Sequence, residues 1–226
     1  MKNVLVIGYT HIPFEKKGYL EFCKRIYKEC NCTEVVHIGD LVDNHAISYH
    51  EVCPDGYSPK HEMEKADVIL KKWFKAFPNV KLCRGNHDIL VSRKGKTAGL
   101  PDRCFKPFRE IWNLPDGWKD DFQFIIRDVC YTHTCLGGKN GALKTAIANR
   151  MSTVAGHWHT NASVQYSANE RDIIFGVAVG CGIDRHKYAF DYGRQFKEKQ
   201  IVSCTVISYS KRGINPTVYT MPIGGK

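Results

Sequence analysis

Short apolar runs that end at or just before a glycine alternate with helical segments over the first 90 residues of the chain. Residues 1–8, 34–38 and 80–83 are rich in Val, Leu and Ile and predict buried strands. Apolar residues at helical spacing predict helices over residues 16–30 and 62–77. This β-α-β-α-β order predicts parallel strands with helices packed on the faces of the sheet.

The second half of the chain changes to a predominantly β pattern. Segments rich in Val, Ile, Thr and Tyr predict further strands, and one short helix is predicted over residues 141–150. The predicted strands cover residues 122–127, 129–132, 153–155, 163–166, 173–179, 202–209 and 217–221. Residues 44–60 and 92–106 are predicted to be loops. We therefore expect one domain over residues 1–226, an α/β sandwich of two sheets with helices outside.

The composition excludes a disordered chain and a membrane-spanning one. Hydrophobic residues make up 43% and charged residues 25% of the sequence, as in globular proteins. No apolar run approaches the roughly 20 residues that cross a bilayer. The 10 cysteines are irregularly spaced, so we expect reduced thiols, several of them in the core, rather than a disulfide framework. These features predict a cytoplasmic protein without membrane attachment.

The charge balance is strongly basic, with 33 Lys and Arg against 23 Asp and Glu and a formal net charge of +10. A positive surface raises the local concentration of phosphate-bearing ligands, which favours a nucleotide or nucleic-acid partner. Good solubility explains the same charge equally well.

Histidines, acids and one amide follow the ends of five predicted strands. In chain order they are His11, Asp40, the run Asn86-His87-Asp88, His133, and the pair His157 and His159. The carboxyl ends of strands in open α/β sheets line the ligand crevice. Any one of these motifs alone is typical of an ordinary turn. Taken together and in order, they predict a site for Mn²⁺, Fe, Zn²⁺ or a similar divalent ion.

The ordered motifs around these residues resemble those of the calcineurin-like metallophosphoesterases. The resemblance spans about residues 8–160 and comprises a His-ending triplet, Gly39-Asp40, Gly85-Asn86-His87-Asp88, a lone His133 and Gly156-His157-Trp158-His159. It implies a four-layer α/β/β/α sandwich, a pair of metal ions and hydrolysis of phosphate esters. The sequence around residues 39–51 also resembles phosphoesterases encoded by phages and prophages.

The resemblance also implies a role for each residue. His11 and His159 would bind the first metal, and Asp40 would bridge both. The second metal would take Asn86, His133 and His157. His87 would be the catalytic histidine, with Asp88 fixing its ring and proton state. Mn²⁺ is the expected ion at both positions, with Fe, Zn, Ni and Mg as alternatives.

The chain departs from the family pattern at one position, where Tyr9 stands in place of the first aspartate. Three outcomes are open. Tyr9 ligates as a phenolate, Asp43 replaces the missing carboxylate, or the first metal site is weak. Because a tyrosine pKa of about 10 makes phenolate ligation costly, we expect weakened first-site occupancy.

Several residues are candidates for holding the substrate. Arg84 is a candidate phosphate clamp, because guanidinium matches phosphate geometry. The basic stretch that follows, residues 93–109 with Phe105, Phe108 and Trp112, predicts either a surface for a nucleic-acid strand or an ordinary solvated loop over core aromatics. The glycine-rich run 137–141 precedes the predicted helix and is a candidate anion site. Residues 180–186 are expected to form another wall of the crevice.

We therefore predict a metal-dependent phosphoesterase that hydrolyses phosphodiester bonds in nucleotides or nucleic acid. Two alternatives fit the same residues. One is a phosphomonoesterase acting on nucleotides or phosphoproteins. The other is a catalytically impaired module that binds a phosphate ligand or a protein partner. The sequence leaves the oligomeric state open, including a homo-oligomer.

Overall fold

The computed structural model describes residues 2–193 and 195–222. Residue 1 of the first predicted strand and the ends of the predicted domain therefore lie outside the described residues. The helices are α1 (Tyr19–Glu29), α2 (Pro59–Ala76), α3 (Leu90–Thr97), α4 (Phe108–Ile111) and α5 (Gly141–Asn149). The strands are β1 (Asn3–Ile7), β2 (Cys32–His37), β3 (Val80–Cys83), β4 (Trp118–Asp121), β5 (Gln123–Ile126), β6 (Val129–Thr132), β7 (Ser152–Ala155), β8 (Ala162–Ala168), β9 (Ile173–Val179), β10 (Ser203–Ser210) and β11 (Gly213–Thr220).

Among the described residues, the strands form two sheets. One has the order β11-β10-β1-β2-β3-β4 and the other the order β5-β6-β7-β9-β8. Strands β1 to β4 run parallel, as do β6, β7 and β9. Parallel strands place their carboxyl ends at one edge of a sheet, so the loops after β1, β2, β3, β6 and β7 are brought to one rim.

Side chains of β1 point alternately to the two faces of its sheet, and this shows how the layers pack. Val4 and Val6 face the second sheet, in one apolar cluster with residues such as Val154 and Val177. Leu5 and its neighbour Ile7 face the other way, into a cluster with helices α1 and α2. On the far side of the second sheet, Ala142 of α5 packs on Ala155 and Ala178. The predicted four-layer α/β/β/α sandwich is therefore confirmed.

Helix α5 approaches the second sheet closely at Gly176. A Cβ atom there would lie 2.3 Å from the backbone nitrogen of Leu143 and 2.4 Å from its Cα atom. Any side chain larger than hydrogen at this position would push the helix off the sheet, which explains the glycine within a strand.

Two segments differ from the sequence predictions. Residues 92–106, expected to be a loop, include most of α3 and the short 3₁₀ helix Asp102–Cys104. The polar segment Trp118–Asp121 was not predicted as a strand, yet it pairs in parallel with β3. Its sequence lacks apolar alternation because only Trp118 is fully buried, so its backbone pairing carries the structure.

The half-buried carboxyl of Glu15, outside the rim, is expected to make the stability of the fold depend on pH. Glu15 accepts a hydrogen bond of 2.7 Å from the indole Nε1 of Trp73, and burial raises its pKa to about 7. Protonation therefore favours the folded state, and this contribution is complete below pH 4.5 and is lost as pH rises through about 7. We expect wild type to lose about 2 kcal/mol relative to Glu15→Gln between pH 4.5 and pH 8 in urea unfolding.

The exposed Glu21 on α1 supplies the control for this measurement. Because its carboxylate pairs with Lys24 at the surface, Glu21→Gln should leave the pH slope of wild type unchanged. Equal pH slopes in wild type and Glu15→Gln would contradict the prediction.

Candidate metal centre and catalytic site

The loops after the first three parallel strands are bound to one another through Asp40. Its backbone carbonyl accepts from the amides of Thr10 and His11, at 3.2 and 2.9 Å. Its side-chain Oδ1 accepts from the amide of His87 at 2.8 Å. A Cβ atom on Gly85 would lie 2.1 Å from the same oxygen, so the loop after β3 needs glycine to approach this closely.

Three residues of the rim adopt positive φ angles although they are not glycine. The values are 46° at His11, 45° at Asp40 and 75° at His157. Such conformations cost of order 1–3 kcal/mol each and persist where the surrounding structure imposes them. Their concentration at the strand ends that carry the predicted ligands marks this rim as a functional site.

The structure brings the six predicted metal ligands to one rim, and four of them fall in two groups that share Asp40. Potential ligand atoms of Asp40, His133 and His157 lie within 4.8 Å of one another, and so do those of His11, Asp40 and His87. The side-chain oxygen of Asn86 lies 3.2 Å from Nε2 of His133 and 3.1 Å from Nδ1 of His157. His87 therefore lies in the group with His11 and Asp40, where the sequence had predicted His159.

Two pairs of imidazole nitrogens lie close together, one at His11 and one at His133. Nε2 of His159 lies 3.2 Å from Nε2 of His11, and Nδ1 of His157 lies 3.3 Å from Nε2 of His133. The nitrogen of a neutral imidazole can bind a metal ion. With the carboxylate of Asp40, this donor set of imidazoles and hard oxygens fits a pair of divalent transition ions.

The charges of the site depend on Asp40. Burial alone would raise its pKa, but the histidines around it, His133 and His87 foremost, together hold the value well below its ordinary range. Conversely, burial would lower the pKa of His133 and of His87, but Asp40 raises both above 6.5. Burial lowers the pKa of His11 and His159 well below 6.5, so these two rings are neutral at physiological pH.

Asp43 orients two histidines of the site. Its Oδ1 lies 2.5 Å from Nδ1 of His11, and its backbone carbonyl lies 2.6 Å from Nδ1 of His87. A carboxylate on the outer nitrogen of a ligating histidine fixes the tautomer and the ring orientation. Asp43 therefore orients His11 through its Nδ1. This role differs from the predicted alternative, in which Asp43 replaces the missing carboxylate as a metal ligand.

The role predicted for Asp88 is corrected by its contacts. Its carboxylate accepts hydrogen bonds from the amides of Leu41, Val42 and Gly85, at 2.8, 3.2 and 2.8 Å. It therefore holds the backbone of the loops after β2 and β3, while the ring of His87 is fixed by Asp43. Sequence proximity suggested Asp88, whereas Asp43 reaches His87 only through the fold.

Tyr9 is fully buried among the histidines of the rim. Its ring centroid lies 5.0, 5.8 and 6.0 Å from those of His159, His133 and His11. Its hydroxyl has no hydrogen-bond partner among the described residues. Burial, reinforced by Cys181 and Asp40, raises the pKa of this phenol well above 10. The group with His11 therefore has Asp40 as its carboxylate and a neutral phenol beside it.

Arg84 does not take the place expected of a phosphate clamp. Its guanidinium lies 3.6 Å from a carboxylate oxygen of Asp120 and 4.0 Å from one of Asp121. It also stacks on Phe122, 4.4 Å from the ring centroid. Arg84 lines a cavity with Phe105 and its neighbours, separate from the one beside His87. Two carboxylates therefore lie within ion-pair distance of Arg84, although its buried Nε has no hydrogen-bond partner among the described residues.

A cavity of about 390 Å³ opens beside His87. Its lining includes Asn86, His87, His157, Tyr49, His50 and Arg93. Sequence reasoning placed Arg93 in a basic loop. The signal that could have singled out Arg93 is its position six residues after His87, on the first turn of a helix.

The other candidate substrate segments lie around this centre. Phe108 and Trp112 are buried in the core, so these two aromatics of the basic stretch are not available for stacking on a strand. Phe105 is half-buried and lines the cavity beside Arg84. The glycine-rich run 137–141 borders another cavity, where Lys139 pairs with Glu198 at 2.9 Å. Residues 185–186 line a further cavity with Phe190, whose ring centroid lies 5.7 Å from that of His11. This last arrangement agrees with an additional wall of the crevice.

Two facing sheets with a histidine-rich metal centre at the carboxyl ends of their strands define a metallophosphoesterase. The sequence profile described as calcineurin-like phosphoesterase matches residues 2–170. The chain belongs to this family, whose members depend on a dinuclear metal centre. A search of curated proteins found no match.

Solved structures with a similar fold include both enzymes and a sorting protein. Vps29 from Chaetomium thermophilum has a TM-score of 0.49 and 13% identity, over 98% of this chain and 100% of its own. The phosphoesterase YfcE from E. coli has a TM-score of 0.42 and 17% identity, over 91% of this chain and 88% of its own. The nuclease MPE from Pseudomonas putida has a TM-score of 0.38 and 13% identity, over 95% and 86%.

Across residues 2–193 and 195–222, no helix has the length and apolar character needed to cross a membrane.

Proposed function

We propose that the protein is a metal-dependent phosphodiesterase acting on nucleotides or nucleic acid. The observation that carries this proposal is the pair of potential ligand groups that share Asp40, one of which contains His87 on the wall of a cavity. That cavity, at about 390 Å³, is within the range of sites for small organic ligands.

The residues present fit two divalent ions, and Mn²⁺ is the ion we propose. Asn86, His133 and His157 would hold one ion, His11 and His159 the other, and Asp40 both. When bound, such a pair supplies an activated water and neutralises phosphate oxygens.

His87 is the proton-transfer residue in this proposal. Its Nδ1 is engaged by the carbonyl of Asp43, which leaves Nε2 to exchange a proton with the leaving oxygen. Asp43 itself is held in the core and fixes His11 as well, so one residue aligns the proton donor and a metal ligand. The contacts of Asp43 thus hold His87 and His11 in a fixed relative position during the reaction.

The pairing of Arg84 favours a diester over a monoester. A terminal phosphate is a dianion and needs more positive charge than a diester, which carries one negative charge. Asp120 and Asp121 already engage Arg84, so this cation is not available to a dianion. The basic net charge of +10 is consistent with a polyanionic or nucleotide substrate.

Hydrolysis of two chromogenic esters tests the diesterase proposal. With Mn²⁺ present, we expect kcat/KM for bis-p-nitrophenyl phosphate to exceed that for p-nitrophenyl phosphate by about tenfold or more. A preference for the monoester would overturn the diesterase assignment and favour the phosphomonoesterase alternative.

Tyr9 favours a second candidate, a catalytically impaired module that grips a phosphate ligand or a protein partner. A fully buried, neutral phenol beside the first ligand group is the specific observation behind it. Metal analysis separates the two candidates. Two ions per chain support the enzyme, and none supports the binding module.

The proposal includes a cytoplasmic location. All 10 cysteines are free thiols in the structure, six of them buried, which supports a reducing compartment.

A further inference from the structure

Arg93 lies on the wall of the cavity that also contains the catalytic histidine. It is on the first turn of α3, which begins directly after the loop that carries Asn86 and His87. The amide of Arg93 donates to the carbonyl of Ile89 at 3.0 Å, so its backbone is fixed to that loop. Its side chain is exposed and belongs to the same cavity as the catalytic groups.

The exposed ring of Tyr49 contacts two cations, Arg93 on the cavity wall and the adjacent Lys94. The guanidinium carbon of Arg93 lies 5.2 Å from the ring centroid, and Nζ of Lys94 lies 3.9 Å from it. The hydroxyl of Tyr49 is held by Oγ1 of Thr97, one turn further along α3, at 2.8 Å. Cation–π contact orients a cationic side chain and leaves its outer N–H groups available for a ligand.

The loop that carries Tyr49 is attached to the catalytic loop. Nδ2 of Asn44 donates to the carbonyl of His87 at 2.9 Å. The carboxylate of Glu62, on α2, accepts from the amides of His45 and Ala46 at 2.8 and 2.9 Å. The ring of Tyr49 and the two cations are therefore placed by the same contacts that place the catalytic histidine.

Two other cations of the basic stretch, Lys96 and Arg109, form ion pairs. Lys96 lies 3.1 Å from a carboxylate oxygen of Asp102, and Arg109 lies 3.2 Å from one of Asp120. Within the described residues, no carboxylate forms an ion pair with Arg93 or Lys94. Two adjacent cations held over a tyrosine and without an acidic partner favour an anionic ligand group at this point of the cavity.

We propose that Arg93 and Lys94, held over Tyr49, bind a second phosphate of the substrate, next to the one that is cleaved. The inference depends on the proposed function, since it adds to the diesterase the requirement for a neighbouring phosphate. Such a group is present in a nucleoside carrying two phosphates and in a nucleic-acid strand. The basic stretch thus contributes a local phosphate site, without the stacking surface predicted from its aromatics.

A matched pair of chromogenic substrates tests this site. The p-nitrophenyl ester of thymidine 5′-phosphate is compared with the same ester carrying a 3′-phosphate, with Mn²⁺ and at constant ionic strength. We expect wild type to prefer the 3′-phosphorylated ester by about tenfold or more in kcat/KM, mainly through KM. In Arg93→Gln and in Tyr49→Leu, the ratio should fall towards one.

The protein offers a control that has the same chemistry outside the cavity. Nζ of Lys65 lies 5.0 Å from the ring centroid of Tyr57, so Lys65→Gln removes a cation from a tyrosine of similar geometry. This variant should keep the wild-type ratio. A wild-type ratio near one, or an unchanged ratio in Arg93→Gln, would overturn the proposed phosphate site.

Calorimetry distinguishes failure of this site from failure of the proposed activity. If wild type hydrolyses neither ester, the diesterase proposal fails, and the affinities of the two esters then report the phosphate site alone. Tighter binding of the 3′-phosphorylated ester by wild type but not by Arg93→Gln supports the site, and equal binding overturns it.

A hexathymidylate with the same 5′ ester separates the two sources of the second phosphate. A further gain in kcat/KM identifies a strand as the substrate, and no gain identifies a nucleotide.

Discussion

The His87→Asn variant is expected to hydrolyse phosphodiesters about 10²- to 10⁴-fold more slowly than wild type, with the loss in kcat rather than in KM. Asparagine can still meet the carbonyl of Asp43, which lies 2.6 Å from Nδ1 of His87, but it has no nitrogen able to deliver a proton at the outer position of the ring. Steady-state kinetics on bis-p-nitrophenyl phosphate with saturating Mn²⁺ measures the effect.

Metal content determines whether His87 acts as a proton donor or as a ligand. Its ring lies in one of the two potential ligand groups, together with His11 and Asp40. If it transfers a proton, His87→Asn should bind as much Mn²⁺ as wild type. If the variant loses one ion per chain, His87 is a ligand, and the proton-transfer role is wrong. His61→Asn, at an exposed position on α2, is the control for removing an imidazole from the surface.

The site was foreseeable from the sequence wherever its residues follow a strand directly. Runs such as Val4–Ile7 are apolar because both faces of their sheet are covered, and a polar residue after such a run must lie at the sheet edge. From the sequence alone, this rule predicted that Asp40, His133 and His157 lie close together. The convergence of these residues at one rim is therefore the feature of the site that the sequence pattern predicts most directly.

The errors arise where a role depends on contacts between distant segments. Strand β4 was missed because its sequence has no alternation, and β4 carries the acids at positions 120 and 121 that engage Arg84. Without that strand, Arg84 looked available for substrate. Helix α3 was missed because it contains Gly95, which is required there since a Cβ atom would lie 1.8 Å from the ring of Phe105. Without that helix, Arg93 looked like part of a loop.

Replacing Tyr9 with aspartate should strengthen the first metal site. Tyr9 presents a buried, neutral phenol to the histidines of the rim, and its hydroxyl has no partner among the described residues. An aspartate would add a second carboxylate beside Asp40 and offset the charge of another cation. We expect Mn²⁺ affinity at this site to rise by more than the roughly 10- to 100-fold that outer-shell groups contribute, and kcat to rise with it.

Calorimetric titration with Mn²⁺ and elemental analysis measure the change directly. Wild type should bind one ion tightly and a second weakly, whereas Tyr9→Asp should bind two tightly. Because the ring of Tyr9 is 0% exposed, its loss leaves a cavity and a buried charge, so the metal-free variant should unfold at a lower temperature than wild type and recover with Mn²⁺.

Tyr9→Phe is the matched control, because it keeps the ring among His11, His133 and His159 and removes only the hydroxyl. It should bind Mn²⁺ as wild type does. Loss of an ion in Tyr9→Phe would show instead that the phenol is a ligand. Unchanged stoichiometry and unchanged hydrolysis in Tyr9→Asp would show that Tyr9 does not limit the first site, and the weakness of that site would then need another cause.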